Sequence, residues 1–410
     1  MKRRDFTSVM AGSTLAAMGF YRKLYGLPAQ NTQYLVETPE KRFYYLKKML
    51  KQLCTDLGPH PSGSPEYERA MNIIKKEMDT ALPIAELDEY TFENWKLMSE
   101  PEFWIGGTQL ETFPFHGCSD TLSGGIRGVL KKLESKGYPY GIADESTGNI
   151  LAYVSVSIYG PAIPRSAYNN SEKSLPIFGI GKYDIPVLES AVKNHTPVHA
   201  NFRAKFIPDT LSWNVVGTLP GNTHKEILLL AHLDTVYSSP GANDNTASVI
   251  TMLMLAHAFS GTKQDFTITF IATGSEECGS FGAQHYAKKR EDAGTMKNIT
   301  YIIQFDSLTY GPDFLLTSKD EELKLIVQQI NKELGIKGIP RLIDSDAYVM
   351  DAAPFLPSGA RAIYINSRGY DGITLPVYHR PEDIPETVGF DCVDNSFLVF
   401  KEFIMRIQKL

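Results

Sequence analysis

One stretch of the chain, Leu228 to Val249, limits the possible fold more than any other. It begins inside an apolar run, residues 227–231, which contains no glycine or proline and is typical of a buried strand. The run ends at His232 and Asp234, and Asp244 follows in a Gly-Ala-Asn-Asp-Asn turn before a helical pattern begins. A strand, a polar loop and a helix in this order form a βα unit. Ligand sites of open α/β sheets lie at the carboxyl ends of such strands.

The chain after this stretch continues to alternate between strand and helix patterns. Strands are predicted over 266–272, 299–305 and 360–365, and helices over 281–289, 323–334 and 385–410. A capping box from Ser318 to Glu321 predicts where the second of these helices begins. Thr38 and Pro39 predict the start of an earlier helix. The sequence therefore predicts an α/β fold, with a mostly parallel mixed central sheet that helices flank on both faces.

Changes in composition and periodicity divide the chain of 410 residues into four parts, of which the first, residues 1–29, is described below. Residues 30–100 carry two helical patterns and form the N-terminal part of the main domain. Residues 101–205 contain short β-like runs separated by Gly, Pro, Ser and Asn clusters, with helical periodicity only near 129–133 and 187–192. We interpret this region as an inserted, strand-rich module. The main domain then resumes over 206–410.

The first 29 residues resemble an export signal. A charged start, Lys2-Arg3-Arg4, precedes a mildly apolar segment that is too short to span a membrane. Arg3, Arg4 and Phe6 resemble the twin-arginine signal, and no cysteine follows as a lipid attachment point. We therefore expect an exported protein, periplasmic or extracellular, without a stable membrane anchor. A net charge of −6 and the lack of a long basic run argue against a nucleic-acid partner. The four cysteines form no CxxC pair and are interpreted as buried free thiols.

Five metal-binding side chains occupy equivalent places, either directly after a predicted strand or in the loop that follows one. They are His232, Asp244, Glu277, Asp306 and His379. Each alone has an ordinary structural interpretation, such as an aspartate that caps a helix, but their joint placement favours a metal site. Two imidazoles and three carboxylates suit zinc or a similar divalent ion. Five ligands are too many for one tetrahedral catalytic zinc, and they fit two ions that share one carboxylate.

These motifs resemble metallopeptidase family 28, the exopeptidases with two zinc ions that include bacterial leucyl aminopeptidases and glutamate carboxypeptidases. The matching segments are His232-Leu-Asp234, Gly241-Ala-Asn-Asp244-Asn, Ser275-Glu276-Glu277, Phe305-Asp306 and Tyr378-His379-Arg-Pro-Glu-Asp383. The resemblance implies an aminopeptidase with peptide substrates. It also implies that the inserted module is similar to a protease-associated domain.

The resemblance assigns a role to each matching residue. His232 and Asp306 would bind one zinc, Glu277 and His379 the other, and Asp244 would bridge them, with a cis peptide to Asn245. Glu276 would be the general base for a water shared by the two ions. Asp234 would orient His232, and Tyr378 would stabilise the oxyanion. Asp383 would either brace the loop of His379 or cap a helix.

The sequence departs from the family pattern at two places and leaves other functions open. Ala347, in the segment 344–348, stands where relatives often have histidine, and His60 stands where arginine is common. A carboxypeptidase would need a cationic pocket, for which Arg361, Arg368 and Arg380 are candidates. A glutaminyl cyclase-like enzyme with one working zinc, and a binding protein on an inactive peptidase fold, are further alternatives. The first would need one metal per chain and the second would have lost ligands.

Overall fold

The computed structural model describes residues 31–158, 160–167, 174–309, 313–338, 340–345, 350–368 and 377–410. The predicted export signal lies outside these residues. So do Ala347 and its neighbours at 346–349 and the side chain of Arg368.

Within the described residues the strands form two eight-stranded sheets. The strands are β1 (Ile84–Leu97), β2 (Glu102–Ile105), β3 (Thr108–Gln109), β4 (Thr112–Pro114), β5 (Ile126–Lys132), β6 (Tyr140–Ala143), β7 (Ile150–Val156), β8 (Ile177–Ile180), β9 (Pro197–Asn201), β10 (Ala204–Leu219), β11 (Glu226–His232), β12 (Thr267–Thr273), β13 (Ile299–Phe305), β14 (Asp313–Thr317), β15 (Arg341–Ile343) and β16 (Arg361–Arg368). The α-helices are α1 (Pro39–Leu50), α2 (Pro65–Ala81), α3 (Ile185–Asn194), α4 (Ala247–Phe259), α5 (Phe281–Asp292), α6 (Glu321–Glu333) and α7 (Phe390–Ile407).

The first sheet has the strand order β1-β10-β12-β11-β13-β16-β14-β15. Its centre, from β12 through β11 and β13 to β16, is parallel, while β1, β10 and β14 join through antiparallel pairs. Helices α1, α2, α4, α6 and α7 contribute to the core on one face, and α5 packs on the other. The predicted fold class, a mostly parallel mixed sheet with helices on both faces, is confirmed.

Strand β11 shows why this sheet is buried on both sides. Ile227 and Leu229 belong to the core under α4, while Leu228 and Leu230 belong to the core under α5. Successive side chains of a strand point to opposite faces, so a continuous apolar run fits only a strand that is covered on both. Complete burial of each such side chain contributes about 1.5–3 kcal/mol. The run therefore fixes β11 at the centre of the sheet.

The second sheet contains β2 to β9 and lies within residues 102–201. A long antiparallel ribbon of β1 and β10 leads into and out of this region, and the Met98 N–H donates to the Arg203 carbonyl where the ribbon ends. The helical periodicity near 187–192 corresponds to α3. The helical prediction for 129–133 is wrong, because residues 126–132 form β5, paired with β6 and β9. The sequence boundaries of the module and its likeness to a protease-associated domain stay predictions.

Two predicted helix starts have different outcomes. The Thr38 side chain accepts a hydrogen bond from the Lys41 N–H, as the sequence predicted for α1. Helix α6 begins at Glu321, two residues later than a cap at Ser318 would place it, because Asp320 is the N-cap and accepts from the Leu323 N–H. Ser318 instead donates its hydroxyl to the Ala362 carbonyl. The capping-box prediction at Ser318 is therefore wrong. Among the described residues, none of the helices is both long and apolar enough to cross a bilayer.

Candidate metal centre

The site lies where three neighbouring parallel strands end. His232 is the last residue of β11 and is in register with Thr273, the last residue of β12. Glu276 and Glu277 follow β12, and Asp306 follows β13. Because the strands run in the same direction, their carboxyl ends meet at one edge of the sheet. Asp244 arrives from the turn after β11, and His379 from the described residues that come after β16.

All five predicted ligands converge at this edge. Ligand atoms of His232, Asp244 and Glu277 lie within 4.8 Å of one another. One carboxylate oxygen of Asp244 lies 3.3 Å from Nε2 of His232, and the other lies 3.5 Å from Nε2 of His379. The carboxylate of Asp306 interacts electrostatically with both Asp244 and His232. Asp244 thus stands between the two imidazoles, as a shared carboxylate requires.

Each imidazole is oriented by a main-chain carbonyl. Nδ1 of His232 lies 3.0 Å from the Asp234 carbonyl oxygen, and Nδ1 of His379 lies 2.9 Å from the Pro164 carbonyl oxygen. A carbonyl oxygen can only accept, so Nδ1 of each ring carries the proton. Nε2 of each ring faces Asp244 and is the nitrogen that would bind a metal ion. Outer hydrogen bonds of this kind fix the tautomer of metal-binding histidines.

Asp234 supports the site through both its main chain and its side chain. Its carbonyl contacts the ring of His232, while its carboxylate lies 3.9 Å from Nδ1. The carboxylate oxygens accept from the main-chain N–H groups of Glu276 and Glu277 at 3.0 and 3.2 Å. Burial raises the pKa of Asp234 to about 7, although the charge of His232 opposes this shift. Asp234 therefore orients His232 through its main chain and fixes the glutamate loop through its side chain.

The turn that carries Asp244 is held from both sides. The Asp383 side chain accepts from the N–H groups of Asn243 and Asp244 at 2.9 and 3.1 Å. It therefore braces the turn of Asp244, a role that differs from both predicted alternatives. The peptide between Asp244 and Asn245 is cis, as the resemblance implied. Gly241 has a φ of 64°, and a Cβ there would lie 2.6 Å from the Asp244 carbonyl oxygen. The turn thus requires glycine at this position.

Two residues near the site, the half-buried Tyr364 and the buried Asp351, were missed by the sequence reasoning. Tyr364 on β16 donates its hydroxyl to Asp306 at 3.1 Å. Asp351 accepts from the Thr273 hydroxyl, and its other oxygen has no hydrogen-bond partner among the described residues. Only the predicted strand 360–365 could have indicated Tyr364, because its pairing with β13 places this residue beside Gln304.

The electrostatics of the site reflect many carboxylates in a small buried volume. Burial raises the pKa of Glu276 well above its usual value, and the charge of Asp351 adds to this shift. Burial likewise raises the pKa of Asp306 to about 6. Burial alone would lower the pKa of His379, but the carboxylates of Glu277 and Asp244 raise it to about 9. These groups form a negative pocket that would bind cations.

An open cleft of about 1400 Å³ leads to the site. Glu276, Glu277, Tyr378 and His379 line it on one side, and residues of the second sheet region, including 109–113 and 164–166, line the other. The ring of Tyr378 stacks on His379 with 3.7 Å between centroids.

The remaining histidines have mixed settings. His257 is buried between Tyr45 and Thr32. His60, which stands where arginine is common in the family, is fully buried and interacts electrostatically with His232. Its main-chain N–H donates to the Thr235 hydroxyl at 2.9 Å, which ties the early loop to the residues after β11.

The donor set fits divalent metal ions. His232, Asp244 and Glu277 offer ligand atoms within 4.8 Å of one another, Nε2 of His379 lies 3.1 Å from the Glu277 carboxylate, and Asp306 interacts electrostatically with Asp244. Oε1 of Glu277 is buried without a hydrogen-bond partner among the described residues. A buried carboxylate oxygen without a partner is costly unless a cation compensates it. Zinc takes this combination of nitrogen and oxygen ligands.

The fold and the site together define the class of protein. It is an open-sheet α/β protein with a buried site of histidines and carboxylates at the carboxyl ends of its parallel strands. Residues 214–404 match peptidase family M28. The aminopeptidase YwaD of Bacillus subtilis is 27% identical over 235 residues, which cover 54% of this chain and 52% of that protein. Carboxypeptidase Q of Mus musculus is 21% identical over 322 residues, 68% of each chain.

The solved structure of BSAP, a zinc aminopeptidase from Bacillus subtilis, has the same fold, with a TM-score of 0.70 and 17% identity. The likeness covers 89% of this chain and 94% of that one. Residues 214–404 thus carry the match to peptidase family M28, which agrees with the family that the motifs of this chain indicated. It covers about half or less of the length of the first three curated relatives that it matches.

Proposed function

We propose that the protein is an exported, zinc-dependent exopeptidase that acts as an aminopeptidase, with two zinc ions per chain. The observation that carries this proposal is the position of Asp244, whose two carboxylate oxygens each face a different imidazole. His232 and Asp306 would hold one ion, and Glu277 and His379 the other. Zinc supplies Lewis acidity, which polarises a peptide carbonyl and makes water a stronger acid.

Glu276 is proposed as the general base. Its Oε2 lies 4.0 Å from Nε2 of His232, beside the ligands but outside the predicted set. Burial raises its pKa, so its carboxylate accepts a proton from water more readily than an exposed glutamate would. The same group would then deliver this proton to the leaving amine. The carboxylate of Asp234 holds the Glu276 N–H and so fixes the position of this residue.

Tyr378 is proposed to stabilise the oxyanion that forms when water adds to the carbonyl. Its side chain lines the cleft and its ring stacks on that of His379. A phenol O–H that donates to developing negative charge lowers the barrier of the reaction.

The aminopeptidase assignment rests on the negative charge of the site and on the names of the relatives. A free α-amine is a cation, and the carboxylates at this end of the cleft would attract it. The test is the hydrolysis of dipeptides and amino-acid amides with a free or an acetylated amine. We expect that only the free-amine substrates are cleaved, that a chelator abolishes the activity and that zinc restores it. Cleavage of the acetylated substrates alone would contradict the assignment.

A carboxypeptidase is the second candidate. The cation that favours it is Arg165, which is not one of the arginines that the sequence suggested. Arg361 is bound by Asp320 and Glu322, and Arg380 by Glu111 and Glu382. Arg165 lines the cleft, and no carboxylate pairs with it among the described residues. Carboxypeptidase Q is also among the relatives. If Arg165→Gln raises KM for peptides with a free C-terminal carboxylate and leaves KM for their amides unchanged, this candidate is favoured.

Export is proposed from the charged and apolar pattern of the first 29 residues alone. We expect the mature protein in the periplasmic or medium fraction, with an N-terminus downstream of Ala29. A mature chain that retains Met1 and stays in the cytoplasm would contradict this part of the proposal.

A further inference from the structure

Three alternate residues of the inserted module contact the loops of the main domain that carry His379 and Glu277. These three residues lie within 162–166, which we call the brace segment. The Ala162 carbonyl accepts from Nη1 of Arg380 at 2.8 Å, and the Pro164 carbonyl accepts from Nδ1 of His379 at 2.9 Å. The Ser166 hydroxyl donates to the Glu277 carbonyl. The brace segment thus contacts both proposed ligands of one ion, and the residue after one of them.

The brace segment is anchored in the module. The His116 N–H donates to the Arg165 carbonyl, and the Ala167 N–H donates to the His116 carbonyl, so residues 165–167 pair with the chain that follows β4. Glu111, just before β4, adds a bidentate ion pair with Arg380 at 3.0 and 3.1 Å. Bidentate pairs of this type fix orientation as well as distance. The position of His379 therefore depends on a part of the chain more than 200 residues away.

The other proposed pair of ligands has no such dependence. The ring of His232 is held by Asp234, two residues along the chain. Asp306 receives hydrogen bonds from Ser307 and Tyr364, which belong to the main domain. Among the described residues, the hydrogen bonds that hold this pair all come from the main domain.

We propose that the inserted module positions the ligands of one metal ion, the ion of Glu277 and His379, and leaves the other ion to the main domain. Ser166 and Glu111 are positioning residues in this scheme. The inference rests on the proposed centre with two ions. It assigns the module a part in metal binding, in addition to lining one side of the cleft.

The test measures the two zinc affinities of the full chain separately. Zinc-loaded wild type, Ser166→Ala and Glu111→Gln are titrated with a competing chelator, and the zinc that remains on each chain is measured by elemental analysis. Glu382→Gln is the matched control for Glu111→Gln, because Glu382 pairs with the same arginine from the same loop of the main domain. Ser190→Ala, on α3 of the module, is the control for Ser166→Ala.

In Ser166→Ala and Glu111→Gln we expect one of the two zinc ions to bind roughly 10- to 100-fold more weakly than in wild type. This is the usual loss of metal affinity when a residue that supports a metal ligand is removed. The second ion should keep its wild-type affinity, and both controls should resemble wild type. Equal weakening of both ions, or no change in either, would overturn the inference while leaving the proposed function intact. Fewer than two zinc ions on wild type would overturn the two-ion centre itself, and the inference with it.

Discussion

His232 and His379 have the same task in the proposed centre, yet the chain holds them in different ways. His232 is the last residue of a buried strand, and its Nδ1 bonds to a carbonyl two residues away. His379 has a φ of 59° in a turn, and its Nδ1 bonds to a carbonyl of the inserted module. The half of the site around His232 is thus held by residues close to it in the sequence. The half around His379 is held by a contact that forms only when the two sheets pack together.

This difference shows what the module adds to the protein. The half built on His232 needs only the sheet and its loops. The half built on His379 needs the brace segment, because the hydrogen bond that orients the His379 ring comes from the Pro164 carbonyl and not from a described residue of the main domain. The two halves meet at Asp244. Experiments can therefore break both halves together, separate chemistry from binding, or weaken one half at a time.

Removing the shared carboxylate should have the largest effect. Asp244→Ala takes one carboxylate oxygen from each imidazole at once. We expect the loss of both zinc ions by elemental analysis and peptide hydrolysis below detection. Asp313→Ala, which removes a buried carboxylate on β14, should keep its zinc. Retention of one tightly bound zinc by Asp244→Ala would mean that this residue serves a single ion.

Changing Glu276 should separate catalysis from metal binding. Glu276→Gln keeps the size of the side chain but removes the basic carboxylate. We expect kcat to fall by about 10²–10⁴-fold, the usual contribution of a general base, with two zinc ions still bound. Glu277→Gln should instead lose zinc together with activity, because its carboxylate lies 3.1 Å from Nε2 of His379. Unchanged hydrolysis by Glu276→Gln would exclude this residue as the base.

Lowering the pH should weaken both halves of the site, because nearby carboxylates raise the pKa of His232 and of His379 in the metal-free protein. The pKa of His379 is raised to about 9, because Glu277 and Asp244 outweigh the opposite effect of burial. Zinc must displace this proton, so its affinity should fall about tenfold for each pH unit below about 9. Chelator competition between pH 6.5 and 8.5, with calorimetry of the released protons, measures this effect. An affinity that does not depend on pH would contradict the prediction.

The smallest expected effect comes from weakening the half of the site built on His232, the half that the brace-segment variants leave unchanged. Tyr364→Phe removes only the hydroxyl that donates to Asp306. We expect the ion of His232 and Asp306 to bind about 10- to 100-fold more weakly, with the other ion unchanged. Tyr301→Phe on the neighbouring strand β13, where the ring lies under Arg361, is the control. If the same ion weakens in Tyr364→Phe and in Ser166→Ala, the division of the site into two halves is wrong.

Local patterns were enough to predict the fold class and the residues that converge. The apolar run before His232 predicts a central strand, and alternation of strands and helices predicts the parallel sheet. Residues at the carboxyl ends of parallel strands must then approach one another, whatever the packing details. The family resemblance added the roles of the residues and the cis peptide at Asp244.

What the sequence could not provide depends on contacts between distant segments. Pro164 has no metal-binding group, and only the assembled sheets bring its carbonyl to His379. The carboxylate of Asp351 lies on a loop without periodicity, so no pattern indicates its burial. Residues 129–133 were interpreted as helical, although 126–132 form a strand, because so short a run of apolar residues does not distinguish a helix from a strand. Arg361 and Arg380 looked like pocket cations until their carboxylate partners were known.

The ribbon of β1 and β10 has a practical consequence for protein engineering. Its two strands deliver residues 98 and 203 to adjacent positions, so a short turn could replace everything between them without interrupting the first sheet. Such a shortened chain would fold its main sheet but lose the partner of His379. Chimeras that exchange this module among relatives would therefore transfer metal retention along with the shape of the cleft.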